Sequence, residues 1–474
     1  MPLPQFPTLD KAPPEKRTAA ERRRDFREIF REFDLGRARA QASRCSQCGI
    51  PYCQVHCPLS NNIPDWLMLA GAGRFEEAYA LAASTNNMPE VCGRICPQDR
   101  LCEGNCVIER GFSSVTIGAV ERYITENAFA QGWVKPPTPR LERGQSVGSI
   151  GAGPAGLAAA ELLRRNGYAV EVYDRYDRVG GLLVYGIPNF KLEKEVVARR
   201  HALLAAGGIR FHRNVAIGGA TSLAELRQRH DAVLIACGVY RPRAIACPGI
   251  GLPGVVPALA YLIASNRKGL GDSVPAFESG ALDARGKDVV VIGGGDTAMD
   301  CVRTAVRQGA RSVRCLYRRD RKNMPGSARE VQYAEEEGVL FDFLAAPEAL
   351  IGEASVERLR AHGMRLGVAD AGGRHAPERL PGSFDLPADL VVTALGFEPE
   401  DVPRLFGAPE LAVSAAGTIA IEHRSMMTSL DGVFAAGDIV RGASLVVWAI
   451  RDGRDAAAGI DRYLQAKATV SVAE

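Results

Sequence analysis

Residues 146–156 read SVGSIGAGPAG, a short strand that runs into Gly151-Ala152-Gly153-Pro154-Ala155-Gly156. This is the pattern of a dinucleotide-binding turn. Gly151 permits a sharp exit from the strand and Gly153 lets backbone approach a pyrophosphate. Gly156 lets the following helix, entered through Pro154 and Ala155, pack closely on the sheet while its N-terminus attracts phosphate. The next strand, Ala169–Tyr173, ends in Asp174, 23 positions beyond Gly151, where a carboxylate holds a ribose diol. A glycine turn alone is often an ordinary turn, and this first strand is unusually polar. Strand, helix and terminal acid together argue for a nucleotide.

The same plan returns at Asp288–Tyr317. The strand Val289–Ile292 leads into Gly293-Gly294-Gly295-Asp296-Thr297-Ala298, with Ala298 as the third small residue. Here the second strand ends not in an acid but in Arg318-Arg319. A free 2′-hydroxyl lacks its usual acceptor there, whereas two guanidiniums suit a 2′-phosphate, so NADPH is expected over NADH; the alternative is a solvated loop. One turn ending in an acid and one in arginines predict FAD reduced by NADPH. Such hydride transfer needs alignment more than a protein acid or base. Accordingly no catalytic side chain is predicted, and the seven histidines form no cluster in the sequence. Gly437-Asp438, at the end of a strand and just before a helix, places a carboxylate for a ribityl hydroxyl, although Gly-Asp turns also cap helices without a ligand.

Around these turns, strands alternate with helices, the texture of a parallel α/β sheet. Asp389–Gly396 is another apolar run into glycine, and Gly432–Asp438 leads into a helix from Ala443 to about Leu464. The order predicts two Rossmann-like domains, the second inserted in the first, with the first sheet completed only near the C-terminus. The expected boundaries are 145–285 with 396–474 for the FAD domain and 286–395 for the NADPH domain. Before them, residues 1–144 read as a helical domain ending in the proline-rich linker Gly132–Gly144. Helical periodicity is read over about Pro14–Ala42, from Phe26, Ile29, Phe30 and Phe33, and over Ile117–Phe129. The basic stretch Arg22–Arg27, mixed with Glu21, Glu28 and Glu32, reads as a solvated helix face.

The 474 residues hold 46% hydrophobic and 24% charged side chains, an ordinary globular balance. Fifty-eight basic against fifty-five acidic residues is too even to argue for nucleic acid. No membrane-length apolar run and no secretion signal are visible, so a cytoplasmic protein is expected. Eight of twelve cysteines lie between residues 45 and 106, as Cys45-x2-Cys48-x4-Cys53-x3-Cys57-Pro58 and Cys92-x3-Cys96-Pro97-x4-Cys102-x3-Cys106. In a reducing compartment such a cluster points to metal. Cys-Pro ends favour two 4Fe-4S clusters over structural zinc, which prefers clean CxxC pairs. Four cysteines per cluster is the simple account. Glu121, on the apolar helix face with Ile117, Val120, Ile124 and Ala128, unsettles it, because an unpaired carboxylate there is costly. It is either a cluster ligand that leaves Cys92 free or the partner of a nearby arginine.

The two cysteine groups, GAGPAG, GGLLVYGIPNFKLEK (Gly180–Lys194), GGGDTAMD (Gly293–Asp300), YRRDR (Tyr317–Arg321) and AAGDIVRGASLVVWAI (Ala435–Ile450) together resemble the small (beta) subunits of NADPH-dependent glutamate synthases, from about Arg24 to Leu464. The N-terminal part of dihydropyrimidine dehydrogenase and the large subunit of the ferredoxin-NADP transhydrogenase complex share that architecture. The resemblance implies that NADPH reduces FAD here and that electrons pass through iron–sulfur centres to FMN in a large (alpha) subunit, within a higher-order hetero-oligomer. Glutamine-derived ammonia and 2-oxoglutarate would become glutamate there. It also implies crossed cluster ligands: Cys45, Cys48, Cys53 and Cys106 for one, and Cys57, Cys96 and Cys102 for the other. Some relatives complete the second with a non-cysteine side chain at the position of Glu121. The first glycine turn, Asp174, Gly181, Leu182, Gly238, Gly437 and Asp438 fall at flavin positions. Cys237, where a threonine is common, departs from the pattern.

The chain starts Met1-Pro2, without the residue-1 cysteine of an N-terminal-nucleophile amidotransferase, and nothing reads as an eight-fold barrel for FMN. The amide chemistry is therefore expected on the partner. The alternative assignment is the electron-input subunit of a pyrimidine reductase or a transhydrogenase. A flavin disulfide reductase needs a redox CxxC beside its flavin, and the one CxxC, Cys45–Cys48, lies among the cluster cysteines.

Overall fold

The computed structural model describes residues 4–369 and 375–473. Its first part is helical. Helices Ile63–Gly71, Phe75–Thr85, Pro89–Ile95 and Ile117–Ala130 pack around Trp66, Leu67, Ile117, Val120 and Ile124, all buried. Their apolar residues recur at three- and four-residue steps, which puts one stripe of each helix into the core.

The helix read over residues 14–42 is a correction. Only Ala19–Arg22 and Leu35–Ala42 are helical there. Between them the chain doubles back: Lys16 bridges Phe30 antiparallel, Arg17 N–H donates to the Ile29 carbonyl (2.9 Å) and Arg31 N–H to the Glu15 carbonyl (2.9 Å). The apolar spacing serves several surfaces rather than one helix face, since Phe26 meets Phe190, Phe30 meets Tyr333 and Phe33 joins the helical core. Of the basic stretch, Arg23, Arg24 and Arg27 are exposed as expected, whereas Arg22 is 2% exposed.

Beyond residue 145 the chain is α/β. Strands β1 (Ser146–Ile150), β2 (Ala169–Asp174), β3 (Arg210–Arg213) and β4 (Ala232–Ile235) build a parallel sheet. The polar character of β1 has a packing reason: a Cβ on Gly148 would come within 2.5 Å of the His230 ring. After β4 the chain crosses, through β5 (Arg241–Pro242), to a second parallel sheet made of β6 (Val255–Pro257), β7 (Asp288–Ile292), β8 (Ser312–Tyr317), β9 (Leu340–Phe343) and a later strand. Strands β10 (Ala345–Ile351), β11 (Arg358–Ala369) and β12 (His375–Pro387) form an antiparallel sheet beside it. The later strand is β13 (Leu390–Thr393), which lies between β6 and β7. The chain returns through β14 (Phe397–Glu398), paired with β5, and β15 (Val433–Ala435) completes the first sheet in the order β15-β4-β1-β2-β3.

The insertion of one nucleotide fold in another is thus as the sequence suggests. The boundary differs, because β6 pairs with β13 and the second fold begins well before residue 286. A three-residue strand at a sheet edge leaves too short an apolar run to be recognised. Among the described residues, no helix is long and apolar enough to cross a membrane.

Candidate functional site

The two glycine turns are built alike. Gly151 (φ +109°) and Gly293 (φ +149°) take backbone angles that side chains rarely adopt, and a Cβ on either would strike the carbonyl of Ala236 or Ala394 at 2.3 Å. Each turn is therefore pressed against the end of a neighbouring strand. Gly153 and Gly295, by contrast, would meet nothing within 4 Å. Each directly precedes its helix, Pro154–Arg165 and Asp296–Gln308, so both leave open space where helix dipole and backbone N–H groups favour phosphate. A Cβ on Gly156 would sit 2.0 Å from the Gly151 carbonyl, whereas Ala298 fits, fully buried, at the matching place.

Asp174 is buried at the end of β2. Its carboxylate accepts from the N–H groups of Ala152 (2.6 Å) and Tyr176 (2.8 Å), which tie it to the first turn. Burial raises its pKa and those two bonds oppose the shift. Gly181 stands against the same turn, since its Cβ would lie 3.0 Å from Gly153 Cα, and Gly238 (φ +74°) follows β4. Gly437 (φ +80°) backs onto Ala155, and Asp438 opens the short helix Asp438–Arg441. Burial pushes Asp438 up to about 7, against the N–H of Ser444. Such a carboxyl either accepts from or donates to a hydroxyl.

At the second turn, Arg318 is exposed and Arg319 half-buried, and neither pairs with a carboxylate among the described residues. Asp296 is occupied elsewhere, receiving Ser327 N–H (2.8 Å) and Arg100 Nη2 (3.2 Å). Thr297 joins Gly293, Gly295, Asp296, Arg318 and Arg319 on the wall of a cleft of about 1520 Å³.

The cysteines fall into two neighbourhoods. Burial raises the Cys45 thiol to about 11 and Cys53 to about 12, and each also feels Cys48 and Cys106. Burial raises Cys57 to about 11, with contributions from Glu121 and Cys92. Cys96 is pushed well above the usual range by Cys92 and burial, and Cys102 by burial first, then Glu103 and Cys57. Cys106, late in the chain, thus sits with the first group, and Cys57 with the second. Among the described residues no three His, Cys, Asp or Glu side chains converge as tightly as one bound ion requires. The ligands of a four-iron cube stand farther apart than those of a single ion, so two looser groups suit such cubes.

Glu121 lies in the second neighbourhood, 8% exposed. No ion pair reaches it among the described residues; Arg122 turns to Glu28 and Arg94 to Glu28 and Glu126. Among the described residues its carboxyl is met by Asn86, whose Nδ2 donates to Oε1 (3.1 Å) while Asn86 Oδ1 accepts from the Cys92 thiol (3.7 Å). Burial raises Glu121 to about 8, and the Asn86 bond opposes that shift.

The cleft gathers all three parts of the molecule. Besides the second turn it is lined by Leu182 and Asp438 from the first nucleotide fold and by Cys96 from the helical domain. Lys191 and Asp300, also on its wall, pair at 2.9 Å. Sequence reasoning missed both, although each lies inside a motif that stands out, GIPNFK and GGGDTAMD.

Known proteins match this layout. A model of dihydropyrimidine dehydrogenase domain II with its 4Fe-4S cluster matches residues 22–133, and one of pyridine nucleotide-disulphide oxidoreductases matches 147–453. The glutamate synthase (NADPH) small chain of Azospirillum brasilense is 65% identical over 97% of this chain and 96% of its own. That of Escherichia coli K12 is 46% identical over 97% and 98%. The solved structure of Mycobacterium tuberculosis FprA in complex with NADPH covers 69% of this chain and 86% of its own at 22% identity, with a TM-score of 0.58, and shares the fold.

Proposed function

The chain belongs to the family of glutamate synthase (NADPH) small chains, and from that premise we propose that it is the electron-input subunit of such an enzyme. It takes NADPH on the second nucleotide fold and FAD on the first. Two 4Fe-4S clusters sit in the helical domain, about residues 1–144. The electrons go on to a large subunit whose FMN serves glutamate formation from glutamine and 2-oxoglutarate. The observation that carries this is the single cleft bounded by the second glycine turn, Leu182, Asp438 and Cys96.

When bound, nicotinamide supplies a hydride, flavin splits the electron pair, and clusters carry single electrons. The chain's own groups hold and align. Gly153 and Gly295 leave room for two pyrophosphates, Asp174, tied to the first turn, would accept from a ribose hydroxyl, and the buried carboxyl of Asp438 would meet a ribityl hydroxyl. Cys57, Cys96 and Cys102, with Glu121, would hold one cluster, and Cys96 of this set lines the cleft. Cys45, Cys48, Cys53 and Cys106 would hold the other, next in the chain to the exposed Ile50, Tyr52 and Val55, an apolar surface suited to the large subunit.

The test is direct. Protein purified without oxygen should show flavin bands over a broad iron–sulfur shoulder and oxidise NADPH with an artificial acceptor. It should make glutamate only when the large subunit is added. Colourless protein refutes the proposal. A pyrimidine-reductase subunit would carry the same centres, so the large-subunit assay separates the two.

Replacing Arg318 and Arg319 together with alanine is expected to weaken NADPH by about tenfold to a hundredfold. A charged hydrogen bond contributes ~1.5–3 kcal/mol, less where solvent screens it. NADH, lacking the phosphate, should be little affected in the same titration, and an equal loss for both nucleotides removes these residues from the 2′-phosphate.

A further inference from the structure

The two nucleotide folds are joined covalently by β5 and β14, a two-stranded ribbon two residues wide. Such a ribbon is marginal by itself, and domains so linked turn relative to each other unless something else holds them. Here something does. The segment that carries Gly181 and Leu182 continues to Asn189, Phe190 and Lys191, and these wedge between the doubled-back N-terminal segment 15–31, here called the strap, and the Asp296–Gln308 helix. Lys191 Nζ meets Asp300 Oδ1 at 2.9 Å and Glu330 Oε2 at 3.7 Å, both on the second fold. Burial works against that ammonium, but the two carboxylates outweigh it and Lys191 is held above the ordinary lysine range.

Phe190 is fully buried under two guanidiniums of the same helix, Arg303 at 4.6 Å and Arg307 at 3.9 Å from its ring. Those arginines share buried Glu337 with Arg22 of the strap, whose Nη1 reaches it at 2.9 Å while Nη2 reaches Glu336 at 2.7 Å. Asn189 Nδ2 donates to the Phe26 carbonyl at 3.0 Å. One node therefore engages all three domains.

We propose that Phe190 and Lys191 are positioning residues that lock the orientation of the nicotinamide-nucleotide fold on the flavin fold, so that hydride transfer proceeds without a domain rotation. This rests on the electron-input function above. The helix that Lys191 grips begins at the second glycine turn, and the loop that bears Lys191 bears Leu182. Fixing one to the other fixes the separation of donor and acceptor, for which ~3–3.5 Å is required.

The test compares wild-type holoenzyme with Lys191→Met, both carrying flavin and clusters. Two quantities are read: hydrogen exchange of the backbone at 241–257 and 396–400 without nucleotide, and the rate of flavin bleaching over a range of NADPH. The variant should exchange faster at both crossovers. Its saturating rate should fall about tenfold or more, with half-saturation moved by less than about threefold, since a misplaced reactant costs rate rather than uniform binding. Lys191→Arg, which keeps the ion pair, should restore the rate. Should Lys191→Met not fold, Phe190→Leu is measured in its place. A variant indistinguishable from wild type in either quantity overturns the lock. Wild-type flavin that NADPH leaves unbleached overturns the functional proposal instead, and the exchange data then still decide whether the node fixes the domains.

Discussion

A Gly153→Ala chain is expected to fold and melt as wild-type apoprotein does and yet emerge from purification with less than stoichiometric flavin. Gly153 has φ −80° and ψ −177°, extended backbone that alanine adopts freely, and a Cβ there meets nothing within 4 Å. Stability should therefore be unchanged or raised by ~0.4–1 kcal/mol, the usual gain from a compatible glycine-to-alanine change. The added methyl instead occupies the space into which a pyrophosphate must come. Overpacking by a methyl costs ~1–3 kcal/mol, so flavin should bind about tenfold to a hundredfold more weakly.

Gly156→Ala makes the contrast. Its Cβ would lie 2.0 Å from the Gly151 carbonyl, so the turn itself must move and melting should fall. Gly295→Ala, equally open, should retain flavin and lose NADPH affinity. Flavin absorbance per chain and calorimetric melting separate the three. If Gly153→Ala holds stoichiometric flavin, the pyrophosphate lies elsewhere.

Local patterns made much of this molecule readable. The glycine turns depend on a few adjacent residues, and Gly151 and Gly293 are pressed on their strands as such turns require. The Ile117–Ala130 helix shows its buried face in every third or fourth residue. What escaped depends on partners distant in the chain. Arg22 looks like one charge in a mixed-charge run, and only the approach of Glu337, 315 residues on, makes it buried. The aromatic steps at Phe26, Phe30 and Phe33 mimic a helix because three separate surfaces happen to draw on residues spaced by three and four. The antiparallel sheet β10–β12 is solvent-exposed along β12, so its strands lack the apolar runs that mark the parallel strands. In the helical domain the approach of Cys106 to the first cysteine group, implied by the family resemblance, is set by how the chain folds back and not by spacing.

Glu121 and Cys92 are the sharpest remaining choice, and the larger effect is expected from the glutamate. Asn86 lies between them with its amide group already oriented. Its Oδ1 also receives Met88 N–H at 3.0 Å, which fixes the oxygen as the acceptor facing Cys92 and the nitrogen as the donor facing Glu121. Cys92 Sγ is thereby engaged by Asn86, while Glu121 Oε2 has no hydrogen-bond partner among the described residues and is free to meet a cation. Its burial without any guanidinium is costly for the charged form, which a cluster of iron ions would offset. Glu121→Ala should therefore lose about half the iron and sulfide per chain, one cluster of two, under strict exclusion of oxygen. Cys92→Ala should keep both clusters and lose only the stability of a well-packed buried side chain, about 1 kcal/mol. The same loss is expected for Cys102→Ala as for Glu121→Ala, which calibrates the assay. Iron lost from Cys92→Ala but retained by Glu121→Ala would reverse the assignment and return the cluster to four cysteines. In that event the glutamate would be a carboxylic acid held neutral by burial, its carbonyl oxygen still accepting from Asn86 Nδ2.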